Sequence, residues 1–574
     1  MNAVAISSVI ASGRVEIANT RRRALDMARA RLALVVLGFV ALALLALARI
    51  TFLGLVQANP RPGDGPGLLP PRGDIVDRNG VPLARAFPAY ALWYNPAALG
   101  EDGPPLVRSP QEVAAALARI FPDLDPAETA RRLASGRPGY LRRRILPEDA
   151  NRIHALGEPA LEFPRETERF YPQGSLAAHV LGYVGADGRG RIGMEGVFDQ
   201  QLTDPATRGT PAVLSLDARV QGALEDELLK GMSDTLAKGA AGIVLDVDSG
   251  EVLALASLPS FNPNLIDTVG AGNIFNRVTN QVYELGSTFK PLTVAAAIDA
   301  GTVTSMARRY QAERPIEIGG FRIRDLHNYG ASLNVPEALI HSSNIVTAQI
   351  ADELGPARLN ATMRSLGMHE RPYIELPARG MPLWPPGDWS RITTMTVSYG
   401  HGIAVTPLHL ASAYAAMVNG GIWRPATLRK LAPGQIPQGR RVFKASTSAR
   451  MRQLLRMIVV DGTGKKADAL GYRVGGKTGS AEKPGVGGYR RSSLVATFAA
   501  VFPMDRPRYV VIAMLDEPQG TAATSGQRTA GWNAAPIVGR VVPRIGPLLG
   551  VMPDATRDVD ISDLSPLVSS GEGE

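Results

Sequence analysis

The sequence predicts an α/β multidomain membrane protein, with one N-terminal transmembrane helix, a mixed α/β pedestal domain and a larger domain built on an antiparallel sheet. Three observations lead to this prediction. Residues 32–56 are almost uninterruptedly apolar, residues 73–213 alternate short apolar runs with polar helical patterns, and residues 214–552 place strand patterns on either side of helical ones. That last order favours an antiparallel sheet flanked by helices, with a helical subdomain inserted.

The composition is that of a globular protein and excludes several chemistries. Of 574 residues, 45% are hydrophobic and 20% are charged. There is no cysteine, which excludes disulfides, iron–sulfur clusters and thiol catalysis. The formal charge of +9 comes from scattered arginines without interleaved aromatic residues, so nucleic-acid binding is disfavoured. The histidines form no spaced metal motif, so zinc chemistry is disfavoured.

The run over residues 32–56, LALVVLGFVALALLALARITFLGLV, contains Arg49 as its only charge. Its length fits a hydrocarbon core about 30 Å thick. Residues 1–31 form a basic tail that carries six arginines: Arg14, Arg21, Arg22, Arg23, Arg29 and Arg31. The positive-inside rule therefore predicts a cytoplasmic N-terminus and an external remainder. A cleaved signal peptide is disfavoured because its apolar region is usually shorter.

The rest of the chain divides by composition. Residues 57–72 are rich in Pro and Gly, which predicts an extended linker. Residues 73–213 contain the helical patterns PQEVAAALARIF and ILPEDANRIHAL, as expected for a mixed α/β pedestal. Residues 553–574 carry six acidic residues and one arginine among mostly polar neighbours, and this composition predicts a disordered acidic tail.

Within residues 214–552 the strand patterns are AAGIVLDVDSG with EVLALASL early, and LVATFAAVFP with YVVIAML late. The helical patterns between them are PLTVAAAIDA, IVTAQIADEL and HLASAYAAMV. Gly301, Gly355 and Asn419-Gly420 follow these three patterns and favour helix ends there.

Ser287-Thr288-Phe289-Lys290 is the leading candidate for catalysis. Pro291 is tolerated only in a first helical turn, so Ser287 should lie at the start of a helix, where unpaired N–H groups favour developing negative charge. Lys290, three residues on, should lie on the same face, within reach of the hydroxyl. A serine needs such a base, and the lysine needs a lowered pKa to act as one. Alone, an S-x-x-K pattern is weak because it arises by chance.

Two further segments follow in order, and together the three resemble the S-x-x-K, S-x-N and K-[ST]-G motifs of penicillin-recognising serine enzymes. We choose Ser342-Ser343-Asn344 as the second motif, since it lies between two helical patterns. Ser260-Phe261-Asn262 precedes the nucleophile and looks like a turn, and Ser332-Leu333-Asn334 looks like a loop entering a helix.

Lys477-Thr478-Gly479-Ser480 supplies the third motif. Residues 471–478, GYRVGGKT, also spell a phosphate-binding loop. We reject that interpretation because no buried strand pattern precedes it and because Gly479 and Pro484 discourage a following helix. Residues 188–193 spell G-x-G-x-x-G without a strong preceding strand, so dinucleotide binding is disfavoured as well.

With the three motifs in order, the chain closely resembles class B penicillin-binding proteins from the apolar span to about residue 550. Further segments that carry the resemblance are RGDIVDRNG, ERFYPQG, GRIGMEGVFDQQL, VLDVDSGEVLALASLPSFNPN and DGTGKKADALGYRVGGKTGSAEK. TVSYGHGIAVTPLHLASAYAAMVNGG is similar to the division-specific branch, the FtsI type or penicillin-binding protein 3. The resemblance implies a penicillin-binding transpeptidase domain over residues 214–552.

The resemblance also implies a reaction and its residues. Ser287 would attack the penultimate D-Ala carbonyl of a peptidoglycan stem peptide and pass the acyl group to an amine of a neighbouring stem, and β-lactams would acylate it instead. Lys290 would take the Ser287 proton, with Ser342, Asn344 and Lys477 as the other catalytic groups. Thr478, Gly479 and Ser480 would bind substrate, with Thr478 and Ser480 holding its carboxylate. The oxyanion would rest between the backbone N–H groups of Ser287 and Ser480, and no metal or cofactor would be needed.

Partners and rivals follow from the same resemblance. The implied partners are the membrane, a septal glycosyltransferase and other division proteins, at the division site of the inner membrane, with the catalytic domain outside the cytoplasm. The rival interpretations are a D,D-carboxypeptidase, a β-lactamase-like hydrolase, and a non-catalytic division scaffold or β-lactam sensor.

Overall fold

The computed structural model describes residues 26–27, 29–47, 49, 72–100, 104–185, 187–485 and 488–568. The chain divides into two units, Met1–Leu68 and Leu69–Glu574. In the first unit, helix α1 (Arg29–Leu47) has a mean hydropathy of 2.6 and is long and apolar enough to cross a membrane. Most of the predicted basic tail of residues 1–31, namely residues 1–25 and 28, lies outside the described residues. So do residues 48 and 50–56 of the predicted span and residues 57–71 of the predicted linker.

The second unit begins with the pedestal, whose sheet has the order β3-β2-β1-β6, with β4 and β5 also paired to β2. The strands are β1 (Ile75–Val76), β2 (Pro82–Tyr94), β3 (Gly139–Ile145), β4 (Leu161–Glu162), β5 (Arg165–Phe170) and β6 (Ala212–Val213). The helices are α2 (Pro110–Ile120), α3 (Pro126–Ala134), α4 (Pro147–His154), α5 (Ala178–Leu181), α6 (Gly193–Val197) and α7 (Asp199–Thr203). Both helical patterns predicted for this domain, at α2 and α4, are confirmed.

The motif RGDIVDRNG, residues 72–80, forms buried ion pairs and hydrogen bonds with distant segments of the chain. Arg72 is buried and forms ion pairs with Glu195 at 2.7 Å and with Asp199 at 2.7 Å. Arg169 pairs with the other oxygen of Glu195 at 2.6 Å. Asp77, also buried, accepts a hydrogen bond from the first N–H of the following domain's helix, at Ala218. The motif therefore has a structural role within the pedestal and at its contact with the following domain.

The large domain is built on a five-stranded antiparallel sheet of order β15-β16-β17-β7-β8. Its strands are β7 (Gly239–Asp246), β8 (Val252–Leu258), β15 (Gly475–Gly485), β16 (Gly488–Phe502) and β17 (Tyr509–Asp516). Short pairs are formed by β9 (Tyr310–Gln311), β10 (Ile316–Ile318), β11 (Phe321–Ile323), β12 (Ser332–Leu333), β13 (Ile422–Trp423) and β14 (Arg440–Arg441). The first and last strands of the domain share one sheet, as the sequence predicts.

Helices cover both faces of this sheet. The helices of the described part of this domain are α8 (Ala218–Asp234), α9 (Lys290–Asp299), α10 (Val335–Ile340), α11 (Asn344–Leu354), α12 (Pro356–Ser365), α13 (Arg391–Ser398), α14 (Pro407–Val418), α15 (Ala445–Val460) and α16 (Ala534–Ile545). One buried apolar cluster joins the sheet to α8 and α16. A second cluster joins its other face to α9, α11, α14 and α15. The three predicted helices, at α9, α11 and α14, are confirmed.

The prediction of a disordered tail from residue 553 is wrong over the described part, residues 553–568. Asp558 forms an ion pair with Arg456 of α15 at 2.8 Å, and Arg557 forms one with Asp505. Leu564 is buried in the core at 1% exposure. The acidic residues find arginine partners on the folded domain, so composition alone misjudged the segment. Residues 569–574 lie outside the described residues.

Candidate active site

The predicted nucleophile lies on a short 3₁₀ turn, Gly286–Phe289, that leads directly into α9. Pro291 occupies the first turn of α9, which begins at Lys290. Proline is suited to that place because its fixed φ fits the helix and its missing N–H would have no partner there. The structure thus places Ser287, partly exposed, at the start of a helix, as predicted from the sequence.

The nucleophile turn packs tightly against strand β15. A Cβ added to Gly479 would lie 2.4 Å from the carbonyl oxygen of Leu285. Gly286 has a φ of +55°, and a Cβ there would lie 3.2 Å from the carbonyl oxygen of Ser480. Both positions need glycine because two backbone segments approach each other closely. The first and third motifs therefore form one wall of the site.

Lys290 reaches the second motif. Its side chain is fully buried, and Nζ donates to both the carbonyl oxygen and the Oγ of Ser342, the latter at 3.1 Å. Ser342 has a φ of +61°, in the left-handed region that a serine rarely adopts. This conformation turns both oxygens of one residue toward the ammonium group. The sequence predicts Lys290 within reach of the Ser287 hydroxyl; in the described residues its hydrogen bonds go to Ser342.

Two lysines are buried at the site, Lys290 on α9 and Lys477 on β15, and both are 0% exposed. Burial and the positive charge of Lys477 hold the pKa of Lys290 well below its usual range, while Asp325 opposes this shift. Burial lowers the pKa of Lys477 to about 7. A buried cation is costly to maintain, so at least one of these lysines favours the neutral form near neutral pH. A neutral Lys290 is a competent base.

The second motif lies on the turn between α10 and α11. Ser343 is the N-cap of α11, and its Oγ accepts a hydrogen bond from the N–H of Val346 at 3.1 Å. The side-chain amide of Asn344 donates to the carbonyl oxygen of Arg324 at 3.0 Å. This bond fixes the amide orientation and leaves the Asn344 side-chain oxygen available as an acceptor.

The alternative S-x-N segments have structural roles instead. Asn334 is the N-cap of α10 and forms a capping box with Glu337. Asn262 caps a short 3₁₀ helix by accepting a hydrogen bond from Asn264. Each of these asparagine side chains already satisfies a helix terminus.

The third motif lies on β15, an edge strand of the sheet. Lys477 Nζ donates to the carbonyl oxygen and the Oγ1 of Thr478, both at 3.1 Å. The Oγ1 of Thr478 also lies 2.7 Å from that of Thr463. The Oγ of Ser480 accepts a hydrogen bond from the N–H of Ala530 at 3.0 Å. Because these residues form a strand with no following helix, the rejection of a phosphate-binding loop is confirmed.

A polar cluster stands beside the nucleophile turn. The carboxylate of Glu284 accepts hydrogen bonds from the N–H of Gly402 at 3.1 Å and from the hydroxyl of Tyr489 at 3.0 Å. His401 Nδ1 lies 3.3 Å from the same carboxylate, and its ring packs edge-on against Tyr489. The cluster connects the end of β15–β16 to the segment that carries the nucleophile.

Sequence reasoning missed three residues that support the site: Asp325, Thr463 and Glu284. Asp325 follows β11, and its carboxylate accepts hydrogen bonds from Ser343 and from two N–H groups of α11. Thr463 lies inside a segment that carried the family resemblance, but no pattern singled it out. No local sequence pattern marks these three residues, because each supports the site through a contact with a segment that is distant in sequence.

Two family models match the chain. The penicillin binding protein transpeptidase domain matches residues 240–541. The penicillin-binding protein dimerisation domain matches residues 68–204. The first match lies on the domain that carries all three motifs, and the second covers most of the pedestal.

Curated relatives and solved structures agree with these matches. The chain is 41% identical to a probable peptidoglycan D,D-transpeptidase FtsI of Caulobacter vibrioides, over 84% of this chain and 82% of that protein. It is 30% identical to the peptidoglycan D,D-transpeptidase FtsI of Escherichia coli K12, over 88% and 87%. Penicillin-binding protein 3 of Mycobacterium tuberculosis, in complex with aztreonam, is similar in structure with a TM-score of 0.65 at 26% identity, over 86% of this chain and 99% of that chain.

Proposed function

The chain belongs to the penicillin-binding protein transpeptidase family, and on that premise we propose that it cross-links peptidoglycan stem peptides at the division septum through an acyl-enzyme on Ser287. One observation carries the assignment. Two buried lysines, Lys290 and Lys477, meet at one site with the turn of Ser287 and the turn of Ser342. A serine hydroxyl at a helix start, close to a lysine whose pKa is lowered, is the arrangement that nucleophilic catalysis requires.

In acylation, Ser287 Oγ attacks the carbonyl carbon of the penultimate D-Ala, and the hydroxyl proton passes to neutral Lys290. Collapse of the tetrahedral intermediate breaks the bond to the terminal D-Ala. That amine leaves with a proton relayed from Lys290 by Ser342, to which the lysine is hydrogen-bonded. The developing oxyanion rests on the N–H groups of Ser287 and Ser480, a device in which one donor is worth about 2.7–4 kcal/mol.

The remaining motif residues hold the substrate. Asn344 accepts from a substrate amide through its free side-chain oxygen. Thr478 and Ser480 bind the terminal carboxylate, beside the close backbone approach that Gly479 permits. Lys477 supplies positive charge when protonated. In the second half of the reaction an amine from a neighbouring stem attacks the carbonyl carbon of the acyl-enzyme. The ester bond to Ser287 Oγ breaks, and the proton of the amine passes through Lys290 to Ser287 Oγ.

The location at the septum is part of the proposal. Helix α1 anchors the chain in the inner membrane, and the arginine-rich segment before it stays in the cytoplasm, so the catalytic domain is exported. A septal glycosyltransferase would supply the glycan strands that this enzyme joins, together with other division proteins. The names of the relatives from C. vibrioides and E. coli support the division-specific role.

Labelling with a fluorescent penicillin tests the nucleophile. The wild-type protein should be labelled covalently and Ser287→Ala should not. Ser332→Ala is the matched control, because it removes a hydroxyl from the rejected S-x-N segment and should label as wild type. Covalent labelling of Ser287→Ala would contradict the assignment and favour a different nucleophile, whereas a wild-type protein that never labels would favour a scaffold.

A reconstituted reaction distinguishes cross-linking from hydrolysis. Purified protein is combined with lipid-linked precursor and a partner polymerase, and both cross-linked dimers and released D-Ala are measured. A transpeptidase yields dimers with stoichiometric D-Ala. Release of D-Ala without dimers, under conditions where the polymerase is active, would instead identify a D,D-carboxypeptidase.

A further inference from the structure

Asp325 lies in the loop that follows β11 and contacts the second motif. Its Oδ2 accepts a hydrogen bond from Ser343 Oγ at 2.6 Å. Its Oδ1 accepts from the N–H of Asn344 at 2.6 Å and from the N–H of Ile345 at 3.0 Å. One carboxylate thus holds three successive residues of this turn.

These bonds satisfy the start of α11. Asn344 and Ile345 contribute the first two N–H groups of the helix, and Ser343 itself caps the third, at Val346. Such groups have no partner within the helix, and a negative charge beside them is favoured by the helix dipole. Asp325 is therefore held by geometry and charge together.

The same turn controls the orientation of the catalytic groups. Ser342 adopts its left-handed φ of +61° immediately before the residues that Asp325 holds. A non-glycine residue keeps such a conformation only where its surroundings fix it. The neighbouring Arg324 carbonyl fixes the Asn344 amide, so residues 324 and 325 hold both the backbone and the side chain of the motif.

We propose that Asp325 is a positioning residue for the transpeptidase reaction, holding the Ser342–Asn344 turn so that Ser342 engages Lys290 and Asn344 faces the substrate. This inference rests on the proposed function. Its charge has a second consequence, because among the described residues the charged groups that act on Lys290 are Lys477 and Asp325, with opposite signs. Asp325 thereby limits how far the pKa of Lys290 falls.

Two variants separate geometry from charge. Asp325→Ala removes all three acceptor contacts and should slow acylation by a fluorescent penicillin about 10- to 100-fold, the effect expected of a misplaced catalytic group. Asp325→Asn retains an acceptor but not the charge. It should slow acylation less, and the acidic limb of its pH–rate profile should move to lower pH because Lys290 then loses its proton more readily.

Asp299→Asn is the matched control. Asp299 also accepts hydrogen bonds at a helix start of the same domain, from the N–H of Lys444 at 2.6 Å and the hydroxyl of Thr447 at 2.8 Å. Its loss should lower thermal stability and leave the acidic limb unchanged. Thermal unfolding identifies any variant that fails to fold. If Asp325→Ala does not fold, the acylation rate and the acidic limb of Asp325→Asn test the inference by themselves.

The outcomes distinguish this inference from the proposed function. If wild-type protein is labelled at Ser287 but Asp325→Asn acylates within twofold of wild type with an unmoved acidic limb, Asp325 is not a positioning residue. A shift of the limb to higher pH would equally overturn the inference. If Ser287 is not the labelled residue in wild-type protein, it is the proposed function that fails.

Discussion

Replacing Tyr414 with phenylalanine removes one hydroxyl from beneath the nucleophile turn. Tyr414 lies on α14, is 0% exposed, and donates a hydrogen bond of 2.8 Å to the carbonyl oxygen of Thr288. Thr288 directly follows Ser287, the proposed nucleophile, and its own Oγ1 donates to the carbonyl oxygen of Leu285 at 2.9 Å. The Tyr414 bond therefore holds the peptide group between Thr288 and Phe289, one residue beyond Ser287.

The structure sets the expected magnitude. Phenylalanine fills nearly the same volume, so the main loss is one buried hydrogen bond, worth about 0.5–1.5 kcal/mol. In a domain of roughly 300 residues this lowers the melting temperature by about 1–2 °C. If the whole loss appears in the acylation transition state, Tyr414→Phe slows acylation about 2- to 13-fold. Differential scanning calorimetry and the rate of labelling by a fluorescent penicillin measure the two effects.

The pedestal offers a control of the same chemistry. Tyr94 is 1% exposed and donates a hydrogen bond of 3.0 Å to the carbonyl oxygen of Leu133. Tyr94→Phe should destabilise the pedestal by a similar free energy and leave the acylation rate unchanged. The reasoning is refuted if Tyr414→Phe acylates at the wild-type rate, or if Tyr94→Phe slows acylation as much.

Two further predictions concern charge. Because burial lowers the pKa of Lys477 to about 7, its ammonium is lost as the pH rises through that value, and penicillin acylation should then fall by up to about tenfold per pH unit. Lys477→Arg keeps the charge and should flatten this alkaline limb, and an unchanged limb would exclude Lys477 as its source. In the pedestal, Glu195→Ala leaves Arg72 and Arg169 buried without this partner and should cost about 3–5 kcal/mol in urea unfolding. Asp74→Ala breaks the more exposed ion pair between Asp74 and Arg85, at 2.9 Å, and should cost under about 1 kcal/mol, so equal losses in the two variants would contradict this reasoning.

The elements of the large domain could be predicted from sequence because local patterns dominate them. The predicted helix PLTVAAAIDA corresponds to α9, Lys290–Asp299, and YVVIAML corresponds to β17, Tyr509–Asp516. The proline at its start indicated where α9 begins, and a short continuous apolar run between turns indicated strand β17. The antiparallel sheet shared by the early and late strands was also predicted, since strand patterns stood at both ends of the domain, whereas the order of the strands within it was not.

Contacts between distant segments could not be predicted. Asp558 is one acidic residue among several in a polar tail, and only the fold brings Arg456, about a hundred positions earlier, to within 2.8 Å of it. Asp325 likewise has no periodicity or motif around it. High net charge and low hydrophobicity predict a disordered segment. That prediction fails where a folded surface supplies the opposite charges.

The position of Lys290 shows why the three motifs are informative together and weak apart. S-x-x-K spacing brings the lysine near the serine, but the structure directs its Nζ to Ser342. That contact requires the left-handed turn of the second motif, and the lowered pKa of Lys290 owes part of its shift to Lys477 of the third. Each motif thus contributes to the position or the pKa of Lys290, and the loss of any one should change these as well as its own contact. An S-x-x-K pattern without the other two has the nucleophile but lacks the conditions that activate it.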